Sequence, residues 1–186
     1  GARGRAQGVS HRETARPGNE IVYGSAMVVG KADEATVGTA LRRRSGSMAS
    51  GRELRGRILA RFFPCPEMLA ALSRLRRLGF TLAIVSDQTN WLDELDERHH
   101  FFALFHRIFN SFHHGRSKKD DRFFVDVLAE LNCQPEAALF LDDNQANLKR
   151  AQAIGIRGIL VTEPDQALSE LEQLLGIELL LTEEEL

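Results

Sequence analysis

The sequence predicts an α/β protein of Rossmann-like, three-layer architecture, in which helices cover both faces of a parallel sheet. Short apolar runs alternate with helical patterns from residue 66 to residue 175, and this rhythm is typical of strands joined by helical crossovers. The 186 residues fit one domain with a small appendage. The 43% hydrophobic and 27% charged residues are ordinary for a globular protein. No apolar run approaches the ~20 residues that span a bilayer, so no membrane partner is expected.

The charge distribution is uneven along the chain. Residues 1–61 carry twelve Lys+Arg and five Asp+Glu, whereas the whole chain has a net charge of −2. We interpret the basic segment as a solvated surface, because its longest run, Arg42 to Arg44, has no aromatic residues interleaved with it. Nucleic acid is therefore not an expected partner. Cys65 and Cys133 lack a metal-binding spacing, which indicates a reducing, cytoplasmic location.

The N-terminal third has a weaker pattern than the rest. Residues 1–20 are rich in Gly, Arg, Pro and Ser, and we expect a disordered or non-native segment there. The chain begins with Gly1 and its first methionine is Met27, so we expect the natural start to be missing, processed or replaced. The apolar run at residues 21–29 fits a strand or a helix. Residues 34–44 and 52–62 are predicted helices.

The elements from residue 66 onward follow from local signals. Pro66 is placed for a first helical turn, and Gly79 for a C-terminal stop. Asp120 is predicted to cap a helix with an apolar face of Phe124, Val127, Leu128 and Leu131. The predicted strands are residues 80–85, 104–109, 138–141 and 158–161, and the other predicted helices are residues 66–79, 91–98, 145–154 and 164–175. Residues 177–181 fit either a last strand or a frayed end.

Polar side chains follow two of the predicted strands, and a lysine precedes a later helix. Ser86 comes directly after residues 80–85, where free N–H groups of a helix N-terminus favour a phosphate. The alternative is an ordinary helix cap. Lys118 can neutralise a phosphate or a carboxylate, and the alternative is a solvated lysine beside Lys119.

The acid pair Asp142 and Asp143 ends the predicted strand at residues 138–141. Two adjacent carboxylates repel each other unless a proton or a cation lies between them. Carboxylate oxygens suit Mg²⁺, which commonly keeps several of its waters. The alternative is a solvated strand end in which Asp143 or Asn144 caps the next helix.

Taken together, these three features resemble motifs two, three and four of the haloacid dehalogenase-like (HAD) hydrolase superfamily. Residues 111–124 are similar to the stretch of that family that begins Ser-x3-Gly-x2-Lys-Pro-Asp. Residues 139–156 are similar to its Asp-Asp-x3-Asn loop, helix and Gly-Ile end. The resemblance covers roughly residues 60–162 and is closest to the subfamily with a small helical cap, which contains sugar-phosphate phosphatases and 2-haloacid dehalogenases.

The resemblance implies a role for each matching residue. Ser86, Asp87 and Lys118 would form the phosphate site, with Ser86 and Lys118 as the catalytic residues that remain identifiable. Asp142 and Asp143 would hold Mg²⁺, and Asn147 would orient the metal loop from the second shell. The implied partner is a small phosphorylated metabolite.

Three departures from the family pattern limit this interpretation. Asp87 stands where the family has Asn, and Lys119 stands where it has Pro. The nucleophile motif, Asp-x-Asp, is absent. The best candidate for its first residue is Asp33, and Ala35 stands where the second aspartate would be. Residues 21–62 resemble a remnant of the cap, and residues 63–182 the α/β core. We therefore expect a phosphatase-type scaffold that is impaired in this chain, because covalent catalysis needs the missing carboxylate.

Two other functions were weighed. One is a non-catalytic module that binds an ion or phosphate, or an anionic partner through the basic segment. The other is a phospho-receiver domain, which also uses two acids, a hydroxyl and a lysine. In that class the acid pair comes early in the chain and the lysine late, whereas here the acid pair comes last.

Overall fold

The computed structural model describes residues 63–179, together with Val29, residues 55–56 and residues 59–60. The predictions for residues 1–20, and nearly all of those for the cap at residues 21–62, lie outside the described residues. The described remainder of the cap segment contacts the α/β core. Leu59 is buried, and Arg55 Nε donates to Glu94 Oε2 at 3.0 Å.

The described core alternates strands and helices along the chain. The helices are α1 (Pro66–Arg77), α2 (Trp91–His99), α3 (Ser111–His114), α4 (Asp121–Glu130), α5 (Gln145–Ala153) and α6 (Pro164–Leu175). The strands are β1 (Ala83–Ser86), β2 (Arg107–Asn110), β3 (Leu139–Asp142) and β4 (Arg157–Leu160). Two short 3-10 turns cover Phe102–Leu104 and Pro135–Ala137. The predicted α/β class with parallel strands is confirmed.

The strands form two parallel pairs. β1 pairs with β2, and β3 pairs with β4. Within the described residues, no ladder joins β1 to β3, so these residues form two ribbons, β1–β2 and β3–β4. At the carboxyl ends of the two pairs, Ser86 lies beside Asn110 and Asp142 lies beside Leu160.

Helices cover both faces of the strands. One cluster joins α1, α6 and β4 through Leu75, Leu168 and Ile159, and Leu139 and Leu141 of β3 pack against it. On the other face, a second cluster joins α4 and α5, and Val85 of β1 and Phe140 of β3 pack against it. Alternation along β3 explains this division, because successive side chains of a strand point to opposite faces.

Some element boundaries differ from the prediction for identifiable reasons. The ladder of β1 begins at Ala83, three residues late, because the Leu82 N–H donates to His106 Nδ1 at 3.0 Å instead of to a strand. β2 begins at Arg107, because residues 102–104 form a 3-10 turn. Residues 177–179 form no strand, and the Leu179 N–H donates to Glu172 Oε1 at 2.7 Å. In the described part of the chain, no helix combines the length and hydropathy that a membrane crossing needs.

Candidate functional site

The carboxyl end of β1 presents a hydroxyl to the edge of the strands. Ser86 is the last residue of β1 and is half-buried. Among the described residues, none forms a hydrogen bond with the Ser86 hydroxyl, so this group remains available to a ligand. The helix that follows is not capped by Ser86. Its first N–H, from Trp91, donates to Thr89 Oγ1 at 3.1 Å.

The loop after β1 is held by the end of β2. Asn110 is 1% exposed and donates through Nδ2 to the Thr89 carbonyl at 3.0 Å. Ser111 Oγ donates to the Gln88 carbonyl at 3.3 Å. The sequence analysis gave Asn110 no role and placed Ser111 only as the first residue of the 111–124 resemblance. The available signal was the same one that identified Ser86, namely polar residues directly after an apolar strand.

Lys118 forms the buried centre of the site. Its Nζ lies 2.6 Å from Asp142 Oδ2, and the two side chains are 11% and 5% exposed. The ammonium also lies 5.7 Å from the centre of the Phe140 ring, within range of a cation–π attraction. Lys118 is therefore not a solvated lysine, and its exposed neighbour Lys119 is the residue that faces water.

Asp87 contacts the backbone of Lys118. Its Oδ1 accepts the Lys118 backbone N–H at 2.7 Å. Burial raises the pKa of Asp87 above its ordinary 3.8, and the charge of Asp142 adds to the rise, while the contacts with Lys118 oppose it. The carboxylate is therefore turned toward the loop that carries Lys118, and it adds negative charge close to the predicted phosphate site.

The two acids after β3 have different environments. Asp142 is buried, and its Oδ1 accepts the Asn144 N–H at 2.8 Å and Asn147 Nδ2 at 3.1 Å. Asp143 is exposed, and the described residues include no donor or cation that contacts its carboxylate. Asn144 caps α5 by accepting the Ala146 N–H, so the cap considered for Asp143 is supplied by its neighbour.

These oxygen donors fit Mg²⁺ better than a transition metal. Within the part of the chain that the structure describes, no three His, Cys, Asp or Glu side chains are grouped to hold a metal. Mg²⁺ needs only one or two carboxylates, because it commonly keeps several waters. Asp142 is already neutralised by Lys118, which leaves Asp143 as the carboxylate open to a cation. Asn147 donates to Asp142, and its predicted role in orienting a metal loop stays a prediction.

Asp87→Asn is expected to tighten the binding of inorganic phosphate about fivefold. The substitution removes a negative charge worth about 1 kcal/mol at this range, while an amide oxygen can still accept the Lys118 N–H. Isothermal titration of the wild type and the variant with phosphate measures the difference. An equal or weaker affinity in the variant would show that Asp87 does not face the bound anion.

Asp87→Asn should also change how the stability of the protein depends on pH. Because the folded pKa of Asp87 is raised, the folded protein holds a proton that the unfolded chain has released, and stability falls as pH rises from about 3.8 to the raised pKa. Asparagine lacks this titration. The stability of Asp87→Asn relative to wild type should therefore grow across that window in urea unfolding, and a constant difference would contradict the raised pKa.

A family model described as haloacid dehalogenase-like hydrolase matches residues 9–155. Among curated proteins, the chain is 35% identical over 116 residues to bifunctional epoxide hydrolase 2 of Rattus norvegicus, a match that covers 59% of this chain and 21% of that protein. It is 35% identical over 114 residues to a sesquiterpene phosphatase of Aspergillus oryzae, covering 61% of this chain and 58% of that protein. The chain thus spans about a fifth of the first relative and just over half of the second.

Solved structures give the same family at the level of fold. A HAD-like family hydrolase of Porphyromonas gingivalis superposes with a TM-score of 0.72 at 18% identity, over 89% of this chain and 90% of that chain. A HAD family enzyme of Bacteroides thetaiotaomicron, in complex with magnesium and inorganic phosphate, superposes with a TM-score of 0.61 at 18% identity, over 74% and 73%. At these identities the likeness establishes the fold.

Proposed function

Because this chain belongs to the haloacid dehalogenase-like hydrolase family, we propose that it has a phosphate-ester site of the phosphatase type. The site is the polar cluster formed by Ser86, Asp87, Lys118, Asp142 and Asp143. The observation that carries the proposal is the buried Lys118 ammonium, held against Asp142 at the carboxyl ends of the strands. Ligands of parallel α/β folds bind at that edge. The phosphatase among the relatives supports this choice over carbon–halogen cleavage. The proposed partner is a small phosphorylated metabolite.

In this proposal each residue acts through a group seen at the site. The Ser86 hydroxyl donates to a phosphoryl oxygen, and Lys118 neutralises negative charge beside it. Asn147 holds Asp142 in the orientation that keeps Lys118 in place. Asp143 would hold Mg²⁺ largely through water, and that cation would supply further charge neutralisation to the phosphoryl group.

We further propose that this chain of 186 residues binds phosphate esters without hydrolysing them. Nucleophilic catalysis would need a carboxylate free to attack phosphorus. The chain contains no Asp-x-Asp sequence. Of the described carboxylates at the site, Asp87 and Asp142 both accept hydrogen bonds from Lys118, and Asp143 is the one that this proposal assigns to Mg²⁺.

Asp143→Asn is expected to abolish the gain in phosphate affinity that Mg²⁺ confers on the wild type. The amide lacks the charge that attracts a divalent cation, whereas Ser86 and Lys118 remain intact. Calorimetric titration with phosphate, with and without Mg²⁺, measures this gain. Glu130→Gln, which neutralises an exposed acid at the far end of α4, is the matched control and should retain the gain.

The same proteins separate binding from turnover. With p-nitrophenyl phosphate and Mg²⁺, neither the wild type nor Asp143→Asn should release nitrophenol above background. Turnover by the wild type that disappears in Asp143→Asn would overturn the proposal that this chain does not catalyse hydrolysis. Failure of the wild type to bind phosphate in any condition would overturn the site itself.

A further inference from the structure

An apolar cavity of about 300 Å³ lies beside β1, between α1 and α2. Its walls are mostly aliphatic and aromatic, and they include Met68 and Leu69 of α1, Ile84 of β1, and Leu92 and Leu95 of α2. Ligand cavities in proteins begin at about this size and are lined mainly by such side chains. The cavity can therefore accept a hydrocarbon group of moderate length.

The cavity and the polar cluster share one residue. Ile84 and Ser86 lie two residues apart on β1, so their side chains point to the same face of the strand. Both line the cavity. Val85 points to the opposite face, where it packs against the clusters around α4. The Ser86 hydroxyl is thus at the point where the apolar wall ends and the polar edge begins.

Among the described residues that line the cavity, polar groups are few. Besides Ser86 they are Gln88 and His99, and the other described lining residues are apolar apart from the Cys65 thiol. A sugar or another polyhydroxylated group would lose its hydrogen bonds to water on entering, at a cost that so few partners cannot offset. An alkyl chain has no such cost and gains from leaving water.

We infer that this cavity receives the hydrocarbon part of an aliphatic phosphate monoester whose phosphoryl group is bound at Ser86 and Lys118. This inference rests on the proposed phosphate site and adds the substrate class to it. The polar head would remain at the carboxyl ends of the strands, and the chain would extend along the Ile84 face of β1 between α1 and α2.

A series of alkyl phosphates, titrated into the full 186-residue protein, tests the inference. Inorganic phosphate, ethyl phosphate, butyl phosphate and octyl phosphate are titrated calorimetrically in the presence of Mg²⁺, and 1-octanol serves as the probe without phosphate. Affinity should rise about three- to fourfold for each added methylene until the cavity is filled. A flat series that starts from measurable binding of inorganic phosphate would overturn the inference and leave the phosphate site standing.

Two substitutions of the half-buried Leu69 give opposite expectations. Leu69→Trp fills the cavity and should remove the gain with chain length, while its affinity for inorganic phosphate stays within about twofold of wild type. Leu69→Ala enlarges the cavity and should shift the best chain toward greater length. Val125→Trp, which introduces the same indole side chain at an exposed position on α4, is the control and should behave as wild type.

The outcomes separate the two proposals. Circular dichroism checks that Leu69→Trp is folded. If the affinity of the folded variant still rises with alkyl length as in the wild type, the alkyl group binds elsewhere and the inference is overturned. Octyl phosphate that binds no better than 1-octanol, together with no binding of inorganic phosphate, would overturn the phosphate site while the cavity still accepts the chain.

Discussion

Replacing Lys118 with methionine is expected to lower the free energy of unfolding by about 3–5 kcal/mol, the cost of leaving a buried charge without its partner. Asp142 is 5% exposed on its side chain, and Lys118 Nζ is the cation within 2.6 Å of it. Methionine preserves the length and apolar stem of lysine, so lost charge and not lost volume is tested. The loss of the cation should also abolish measurable binding of inorganic phosphate.

Urea unfolding at pH 7 measures the first effect, and calorimetric titration with phosphate the second. Lys119→Met removes an exposed lysine one residue away and should change stability by less than about 0.5 kcal/mol. Adding Asp142→Asn to Lys118→Met should restore part of the lost stability, because the unpaired charge disappears. A double variant no more stable than Lys118→Met would contradict this account of the pair.

Asn110→Ala is expected to cost about 2–4 kcal/mol, because two backbone groups lose their partner inside the protein. The Asn110 amide donates to the Thr89 carbonyl and accepts the Phe112 N–H at 3.2 Å. Its side chain therefore ties the loop after β1 to the start of α3. Loosening that loop should also weaken phosphate binding, since the loop begins directly after Ser86.

Two variants serve as controls for Asn110→Ala in the same urea unfolding and phosphate titrations. Asn110→Asp can still accept the Phe112 N–H but cannot donate to Thr89, and at pH 7 it places a charge at a position that is 1% exposed, so its loss of stability should be at least as large as that of Asn110→Ala. Asn90→Ala removes an exposed asparagine whose side chain makes no capping hydrogen bond at α2, and it should be nearly neutral. Equal unfolding midpoints for Asn110→Ala and Asn90→Ala would refute the role of the buried amide.

The helices that were predicted best are those with strong local signals. α6 begins at Pro164 and ends at Leu175, as predicted, because a first-turn proline and the glycine after its last turn define both ends. Asp120 caps α4 as expected by accepting the Arg122 N–H. The four-residue α3 was missed, since so short a helix shows no periodicity.

The pairing within the site could not be read from the sequence. Lys118 was assigned to phosphate and Asp142 to metal, yet the two side chains bind each other across 24 positions of the chain. Burial is what selects this partner, because a desolvated carboxylate needs a cation or donors close by. Burial depends on tertiary packing, and local patterns do not encode it. The different exposure of Asp142 and Asp143 has the same origin.

The division of the strands into two ribbons has a consequence for how the molecule opens. Within the described residues, the β1–β2 ribbon and the β3–β4 ribbon share no ladder of backbone hydrogen bonds, so side chains must couple them. Lys118 contributes to this coupling by its backbone bond to Asp87 and its ammonium contact with Asp142, and Val85 and Phe140 pack against the same apolar cluster. Each ribbon with its helices is thus a candidate cooperative unit of folding. The residues proposed to bind a phosphate are therefore also residues that link the two ribbons.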